Sequence, residues 1–224
     1  LKIVKEEYIN CVSLDYLHTK NILPTPNFIK IDVEGAEFEI LEGAKETLLQ
    51  KSCLGIKIEC RFDSWLIDSN DKPNKTFSDV DLYLKNLGFK LFDIQTTKHG
   101  KKSMKQPFTL FDGKNKVPGP SQYGQVITCD AVYFKDPLEN LNEHHDNYGD
   151  LLKLILLMDI YNQIDTALEI SDFLKNRDST FNNIHDFFSI NFYGKIMSYK
   201  NSQSFISKSN KNTNLKYWYR KKLY

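Results

Sequence analysis

The stretch from Phe28 to Leu48 limits the folds open to this chain more than any other. A short segment rich in β-branched residues, 28–31, is followed by two carboxylates and a glycine in the sequence Asp32-Val33-Glu34-Gly35. After it the apolar residues take helical spacing, which predicts a helix ending near Lys51. Its apolar stripe consists of Ala36, Ile40, Leu41, Ala44 and Leu48. The order strand, tight turn, helix is typical of an α/β fold.

The two acids that follow this strand are the first candidate site residues. In an open parallel α/β sheet, ligands bind in the crevice beyond the carboxyl ends of the strands, where Asp32 and Glu34 would lie. Side chains alternate along a strand, so the two acids share a face if the strand extends that far. The alternative is that they only favour the positive end of the following helix, a surface effect of roughly 0.3–1 kcal/mol. Spacing alone leaves both interpretations open.

A second strand is predicted over residues 54–60, directly after the helix. Strand, helix and strand at this spacing indicate a right-handed parallel crossover. Glu59 lies at the carboxyl end of this strand, and we therefore expect it to face the same crevice as Asp32. A glutamate at a strand end is also often merely solvated, and this alternative stays open.

The following residues predict the far edge of the sheet. Thr76 or Ser78 can cap a helix that ends at Gly88, and strands are expected over residues 89–94 and 127–134. These two strands would pair antiparallel at the sheet edge. The glycine- and proline-rich stretch between them, residues 96–125, is predicted to be one long loop that shapes the acceptor pocket. The alternative, which composition favours equally, is a merely flexible connection.

Two segments, Lys30–Glu37 and Leu41–Ala44, resemble the signature of the FkbM family of S-adenosylmethionine-dependent methyltransferases. The resemblance covers about residues 12–134, the later half of the family's domain, and it implies a Rossmann-like class I methyltransferase sheet. Such a domain has a glycine-rich cofactor turn after its first strand. The chain contains no Gly-x-Gly that could form this turn. We therefore expect a partial α/β sheet, with its N-terminal strands absent, and a C-terminal helical extension.

The resemblance also implies an activity, namely O-methylation of a hydroxyl on a sugar, a glycan or a secondary metabolite, with S-adenosyl-L-methionine as the cofactor. The hydroxyl must lose a proton, which a positioned carboxylate can accept. We predict that Asp32, Glu34 and Glu59 are catalytic, with Asp32 also near the methionine end of the cofactor and one of the glutamates near the acceptor. By resemblance Asp15, within Leu14-Asp15-Tyr16-Leu17, is a second cofactor candidate through the adenine amino group. A role as a first-turn helix aspartate is the alternative for Asp15.

Composition excludes several other classes of protein. The formal net charge of +1 gives no global reason to expect a nucleic-acid or membrane partner. The four cysteines are far apart and form no Cys-x-x-Cys pair, so we expect reduced, mostly buried thiols in a cytoplasmic protein. The longest apolar run, 151–158, is interrupted by Lys153 and is shorter than the ~20 residues that span a bilayer. No histidine lies at ligand spacing with the acids, so we predict no metal, and a metal-dependent hydrolase is the weaker alternative.

The C-terminal third predicts a different kind of structure. Two helices are expected on either side of the polar turn at residues 161–163, with Leu151, Leu152, Ile155 and Leu156 along the apolar face of the first. Such a pair cannot bury its own apolar face, so it would pack on the main domain or on a partner, including a second copy of the chain.

We therefore divide the chain into a partial methyltransferase domain (1–136), a helical extension (137–194) and a basic tail that contains aromatic residues (195–224). No acidic residue follows Asp186. A solvated tail is the simpler interpretation of this segment, and nucleic-acid binding is the less favoured one. The alternative to an enzyme is a catalytically inactive binding or assembly module that uses the helix pair and the tail.

Overall fold

A computed structural model describes most of the chain. The described residues are 7–63, 75–101, 109–112, 115–118, 121, 124–136 and 148–190 of the 224. The chain divides into two compact units, Leu1–Lys153 and Leu154–Tyr224. The basic tail lies outside the described residues, and the division into 1–136, 137–194 and 195–224 stays a prediction.

The first unit is built on strands that form two sheets. The strands are β1 (Phe28–Ile31), β2 (Gly55–Arg61), β3 (Phe89–His99), β4 (Thr109–Asp112), β5 (Asn115–Pro118) and β6 (Gln125–Lys135). Four of them form one sheet in the order β1-β2-β6-β3, and β4 pairs with β5 in a separate hairpin. β1 and β2 are parallel, whereas β6 is antiparallel to both β2 and β3. The predicted parallel crossover and the predicted antiparallel pair at the sheet edge are both confirmed.

Helices pack along the sheet and connect its strands. The helices of the first unit are α1 (Leu14–Thr19), α2 (Glu37–Glu42), α3 (Lys45–Leu49) and α4 (Phe77–Asn86). The side chain of Ser13 caps α1 by accepting a hydrogen bond from the amide of Tyr16 at 3.1 Å. Thr76 and Asp79 form a capping box at the start of α4, and Gly88 follows its end with a φ of +85°. Both ends of α4 lie where the sequence predicts them.

The main hydrophobic cluster of this unit lies on one face of the sheet. Alternate residues of β2, Ile56, Ile58 and Cys60, point into it and are buried, whereas Lys57, Glu59 and Arg61 point to the opposite face. Helix side chains cover the apolar face, and those with no exposed surface are Leu41, Leu48 and Leu84. Burying an aliphatic side chain of this size contributes about 1.5–3 kcal/mol, so the core fixes β2 and the polar residues that alternate with it.

The helix predicted to run from Ala36 to near Lys51 is in fact two helices, α2 and α3, separated at Gly43. The amide of Asp15 donates to the Gly43 carbonyl at 3.0 Å. A β-carbon at position 43 would lie 3.1 Å from the β-carbon of Ser13. The close approach of α1 therefore coincides with the break, and glycine is the residue that permits this approach. Ala36, predicted as the first residue of the apolar stripe, is exposed.

Two further expectations about strands and loops are wrong. The β-branched and aromatic residues at 8–12 predict a short strand, but in the structure this exposed segment is not a strand. The stretch predicted as one long loop, residues 96–125, is partly regular. Its first residues, 96–99, extend β3 along β6, and β4 and β5 form a hairpin within it. Strand pairing therefore outweighs the glycine and proline content of this stretch.

The described part of the second unit, residues 154–190, is mainly helical, and the predicted helix pair is present, although its first helix begins before Leu154. α5 (Tyr148–Ile160) and α6 (Ile164–Arg177) are joined at residues 161–163, where Asn162 has a φ of +58°. Buried apolar residues of this unit include Leu154, Ile155, Met158, Ile164, Ala167, Ile170 and Leu174. Leu156, predicted on the apolar stripe, is instead 61% exposed. No helix among the described residues is both long and apolar enough to cross a membrane.

Candidate active site

Three carboxylates meet at the rim of the sheet. The last pair in the β1–β2 register is Ile31 with Ile58, so Asp32 and Glu59 follow at the same level. One carboxylate oxygen each of Asp32, Glu34 and Glu59 lies within 4.8 Å of the other two. The structure thus brings together the three acids that the sequence predicts at this rim, and their catalytic roles stay a prediction.

Glu34 reaches the cluster through a turn and not through strand alternation. β1 ends at Ile31, so the strand does not extend to Glu34 as the alternation argument requires. Glu34 has a φ of +59° and Gly35 a φ of +123°. A residue other than glycine in this left-handed region costs roughly 1–3 kcal/mol and persists only where its surroundings enforce it. The backbone at Glu34 is therefore held in an unfavourable conformation at the candidate site.

Glu37, the first residue of α2, contacts this turn directly. Its carboxylate oxygen Oε1 accepts hydrogen bonds from the amides of Val33 at 3.2 Å and of Gly35 at 3.1 Å, and Oε2 lies 2.9 Å from the Gly35 amide. The sequence interpretation included Glu37 only as part of the segment that resembles the family signature. The available signal was a glutamate placed two residues after the glycine of a tight turn, at the start of a helix.

The acids at the rim differ in their electrostatic surroundings. The ammonium of Lys30 lies 2.5 Å from Oδ2 of Asp32, and this hydrogen bond and charge lower the pKa of Asp32. Partial burial raises the pKa of Glu59, and the neighbouring negative charges of Glu34 and Asp32 raise it further. The cluster therefore combines a carboxylate whose ionised form is favoured, Asp32, with one whose protonated form is favoured, Glu59.

β6 contributes another acid beside Glu59. Asp130 is the cross-strand neighbour of Glu59, and its carboxylate accepts from the ammonium of Lys57 at 2.8 Å. The Lys57 side chain is 23% exposed and that of Asp130 is 40% exposed. Asp130 raises the pKa of Glu59 less than Glu34 and Asp32 do.

A cleft opens beside these acids between the β1–α2 turn, the end of β2 and the start of α4. It encloses about 530 Å³ when the space open to solvent is included. Glu34 and Glu59 line it together with Phe38, Arg61 and Lys75. The ammonium of Lys75 lies 5.2 Å from the centre of the Phe38 ring, a cation–π contact. The cleft thus presents carboxylates, two cations and an aromatic surface to a ligand.

The three rim carboxylates also have the composition of a divalent-cation site. Carboxylate oxygens are the ligands that magnesium and calcium prefer, and three of them lie within 4.8 Å of one another here. Exposed acids are common without an ion, so the geometry alone does not separate a metal site from acid–base catalysis.

Asp15 has a clear structural partner. Its carboxylate accepts hydrogen bonds from the amide of Glu46 at 3.0 Å and from the amide and hydroxyl of Thr47 at 2.8 and 2.7 Å. α3 begins after Ala44, which has no capping side chain, so Asp15 caps α3 from α1. These bonds favour a structural role, and the contact with a cofactor stays a prediction.

The fold and the site together define an α/β domain with an acidic cleft at the ends of its parallel strands. Residues 2–91 match the family model of the methyltransferase FkbM domain, which confirms the resemblance to this family and supports a methyltransferase at the level of the family. The match begins earlier than the expected residue 12 and ends at residue 91, not at 134. The matched segment contains Asp15 and the three rim acids, whereas β6 lies outside it. The four-stranded sheet with its helices is compatible with an α/β methyltransferase fold. No curated protein and no solved structure matches the chain.

Proposed function

We propose that this chain carries the acid cluster of an S-adenosylmethionine-dependent O-methyltransferase that modifies a hydroxyl of a sugar, a glycan or a secondary metabolite. The observation that carries the proposal is the convergence of Asp32, Glu34 and Glu59 within 4.8 Å at the sheet rim, inside the segment similar to the FkbM domain. Three carboxylates suit a cofactor whose reactive end carries a sulfonium and an ammonium. S-adenosyl-L-methionine would supply the methyl group there.

Asp32 is the residue best suited to the positively charged end of the cofactor. Its lowered pKa keeps it ionised at neutral pH, because Lys30 stabilises the carboxylate form. Asp32 is 43% exposed at the side chain, so a ligand can reach its second oxygen while Lys30 holds the first. We assign to Asp32 the binding of the methionine end.

Glu59 is the residue best suited to accept the proton of the hydroxyl. A general base works best with a pKa near the working pH, and burial and nearby charges raise the pKa of Glu59 in that direction. Glu34 lies beside it at the wall of the cleft and would orient the hydroxyl by accepting a hydrogen bond. Proton removal by a positioned base typically contributes about 10²–10⁴-fold to a rate.

The decisive experiment is a titration of the full-length protein with S-adenosylmethionine by calorimetry, followed by mass-spectrometric screening of hydroxylated acceptors for methylated products. Asp32→Asn should weaken cofactor binding, whereas Glu59→Gln should bind the cofactor and fail to transfer the methyl group. Glu42→Gln, which changes an exposed acid of α2, is the matched control. If the protein neither binds the cofactor nor methylates any acceptor, the proposal is wrong.

A metal-dependent hydrolase is the second candidate, and the spacing of the three carboxylates favours it. The same calorimeter separates the two functions with magnesium or manganese in place of the cofactor. Cation binding that is lost in both Asp32→Asn and Glu59→Gln, without any cofactor binding, would favour the hydrolase.

The third candidate, an inactive binding or assembly module, is supported by the exposed apolar side chains of α5. Leu156 is 61% and Ile160 is 68% exposed. A binding or assembly module predicts that the protein self-associates through the C-terminal helices and that Leu156→Glu abolishes this association. Size-exclusion chromatography with light scattering measures both. A monomer in both proteins would count against it.

A further inference from the structure

We propose that Glu37 is a positioning residue of the candidate site, which holds the β1–α2 turn (residues 32–36) so that Glu34 is directed toward Glu59. The catalytic part of this inference rests on the proposed function. We call the hydrogen bonds of Glu37 to the amides of Val33 and Gly35 the clamp. The clamp is a property of the folded chain and can be tested without enzymatic turnover.

The geometry of the turn requires something to hold it. Glu34 and Gly35 both have positive φ, at +59° and +123°. The amides of Val33 and Gly35 both donate to Oε1 of Glu37, at 3.2 and 3.1 Å, and the Gly35 amide also donates to Oε2 at 2.9 Å. Hydrogen bonds to an ionised carboxylate are stronger than those between neutral groups, so these contacts fix the two residues on either side of Glu34.

α2 provides the rigid base of the clamp. Glu37 is its first residue, and Leu41, one turn later, has no exposed surface. Ala36, which precedes Glu37, offers no side-chain hydrogen bond to the helix end. The side chain of Glu37 therefore links a helix that is anchored in the core to a turn that carries one of the three site acids.

Glu37 also acts on Glu59 through its charge. It is one of the acids that raise the pKa of Glu59. The acids that surround Glu59 are Asp32 and Glu34 from the turn, Glu37 from α2 and Asp130 from β6. The cations on this part of β2 are Lys57 and Arg61. Removing the charge at position 37 should lower the pKa of Glu59, while removing the hydrogen bonds should displace Glu34.

A simpler role for Glu37 is that its charge favours the positive end of α2. The two roles differ in what they require, because the helix end responds to negative charge and the turn needs a hydrogen-bond acceptor. Oε1 accepts from both amides, so the single carbonyl oxygen of glutamine can keep these two contacts, whereas the contact of the Gly35 amide with Oε2 at 2.9 Å is lost. Glu37→Gln therefore separates the clamp from the charge.

The first test measures amide hydrogen exchange at Val33 and Gly35 by NMR. Compared with the wild-type protein, Glu37→Ala should speed exchange at both amides by about tenfold or more, because the protecting acceptor is gone. Glu37→Gln should keep the protection at Val33 and part of it at Gly35, because one acceptor oxygen remains. Glu42→Ala is the control on the same helix. Should the alanine variant fail to fold, Glu37→Asp, which is one methylene shorter, takes its place. If both amides exchange at the wild-type rate in Glu37→Ala, or in Glu37→Asp where it takes its place, the clamp is overturned.

The second test measures steady-state kinetics on the full-length enzyme. Glu37→Ala should lower kcat by about 10- to 100-fold with the KM for the cofactor within about twofold, since misplaced catalytic groups cost rates of this order. Glu37→Gln should retain most of kcat and shift the acid limb of the pH–rate profile to lower pH. Faster exchange with an unchanged kcat overturns the positioning role. A wild-type protein without methyl transfer overturns the proposed function, while the exchange data still decide on the clamp.

Discussion

The carboxylate of Asp15 accepts hydrogen bonds from both the amide and the hydroxyl of Thr47, at 2.8 and 2.7 Å. Thr47 is only 1% exposed, so water cannot replace this partner. The same aspartate donates its own amide to the carbonyl of Gly43. Asp15 thus docks the start of α1 on Gly43 and on the first turn of α3.

This relationship predicts that Asp15→Ala lowers the free energy of unfolding by about 1–3 kcal/mol, because it leaves buried donors of Thr47 unpaired. Asp15→Asn should cost less, since it keeps an oxygen acceptor. Urea denaturation followed by circular dichroism measures both. Wild-type stability in Asp15→Ala combined with weakened binding of S-adenosylmethionine would instead support the cofactor role.

A second prediction concerns the stability of Glu59→Gln. The pKa of Glu59 is raised above its ordinary value of 4.5, mainly by burial, so the folded chain binds the proton more tightly than the unfolded chain. Ionising Glu59 therefore costs folding free energy as pH rises from 4.5 through the raised pKa, and the cost is absent at lower pH. Relative to the wild type, Glu59→Gln should become more stable as pH increases. Thermal denaturation of both proteins across this range measures the difference, and a difference independent of pH would contradict it.

A third prediction concerns the other two acids of the cluster. Asp32→Asn and Glu34→Gln should each lower the rate of methyl transfer by about 10²-fold or more, because they remove groups that bind and orient the reactants. For Asp32→Asn the KM for the cofactor should also rise, whereas for Glu34→Gln the loss should lie mainly in kcat. Steady-state assays of both variants beside Glu42→Gln test this. Wild-type rates in both variants would refute the assignment.

A fourth prediction concerns the thiols. Cys11 is exposed, whereas Cys53, Cys60 and Cys129 are free and buried, which agrees with the expectation of mostly buried thiols. Burial raises the pKa of Cys53 to about 11, and hydrogen bonding with Cys129 together with burial raises that of Cys60. In the folded protein a colourimetric thiol reagent at neutral pH should therefore modify Cys11 alone, and Cys11→Ser should abolish the rapid phase. Rapid modification of more than one thiol would show that the core opens easily.

The placement of the acids was predictable because it follows from local patterns. A β-branched segment followed by helical spacing predicts where β1 ends, and the parallel crossover brings Asp32 level with Glu59. The sequence could not show how Glu34 reaches them, because its left-handed backbone depends on the contact with Glu37. The prediction from strand alternation therefore placed Glu34 beside the correct residues, but for the wrong structural reason.

Two errors in the fold share a cause, which is contact between segments distant in sequence. The break at Gly43 coincides with the approach of α1, and the extension of β3 beyond residue 95 follows from its pairing with β6. Helical spacing, turn residues and composition describe only local sequence, so they could not predict these contacts between distant segments.

The position of β6 between β2 and β3 has a consequence for synthesis of the chain. The strand that carries Glu59 is bordered by Gln125–Lys135, so one of its edges stays open until the ribosome has made more than sixty further residues. An open strand edge invites pairing with other chains. A nascent polypeptide that stops before Gln125 should therefore aggregate through the open edge of β2.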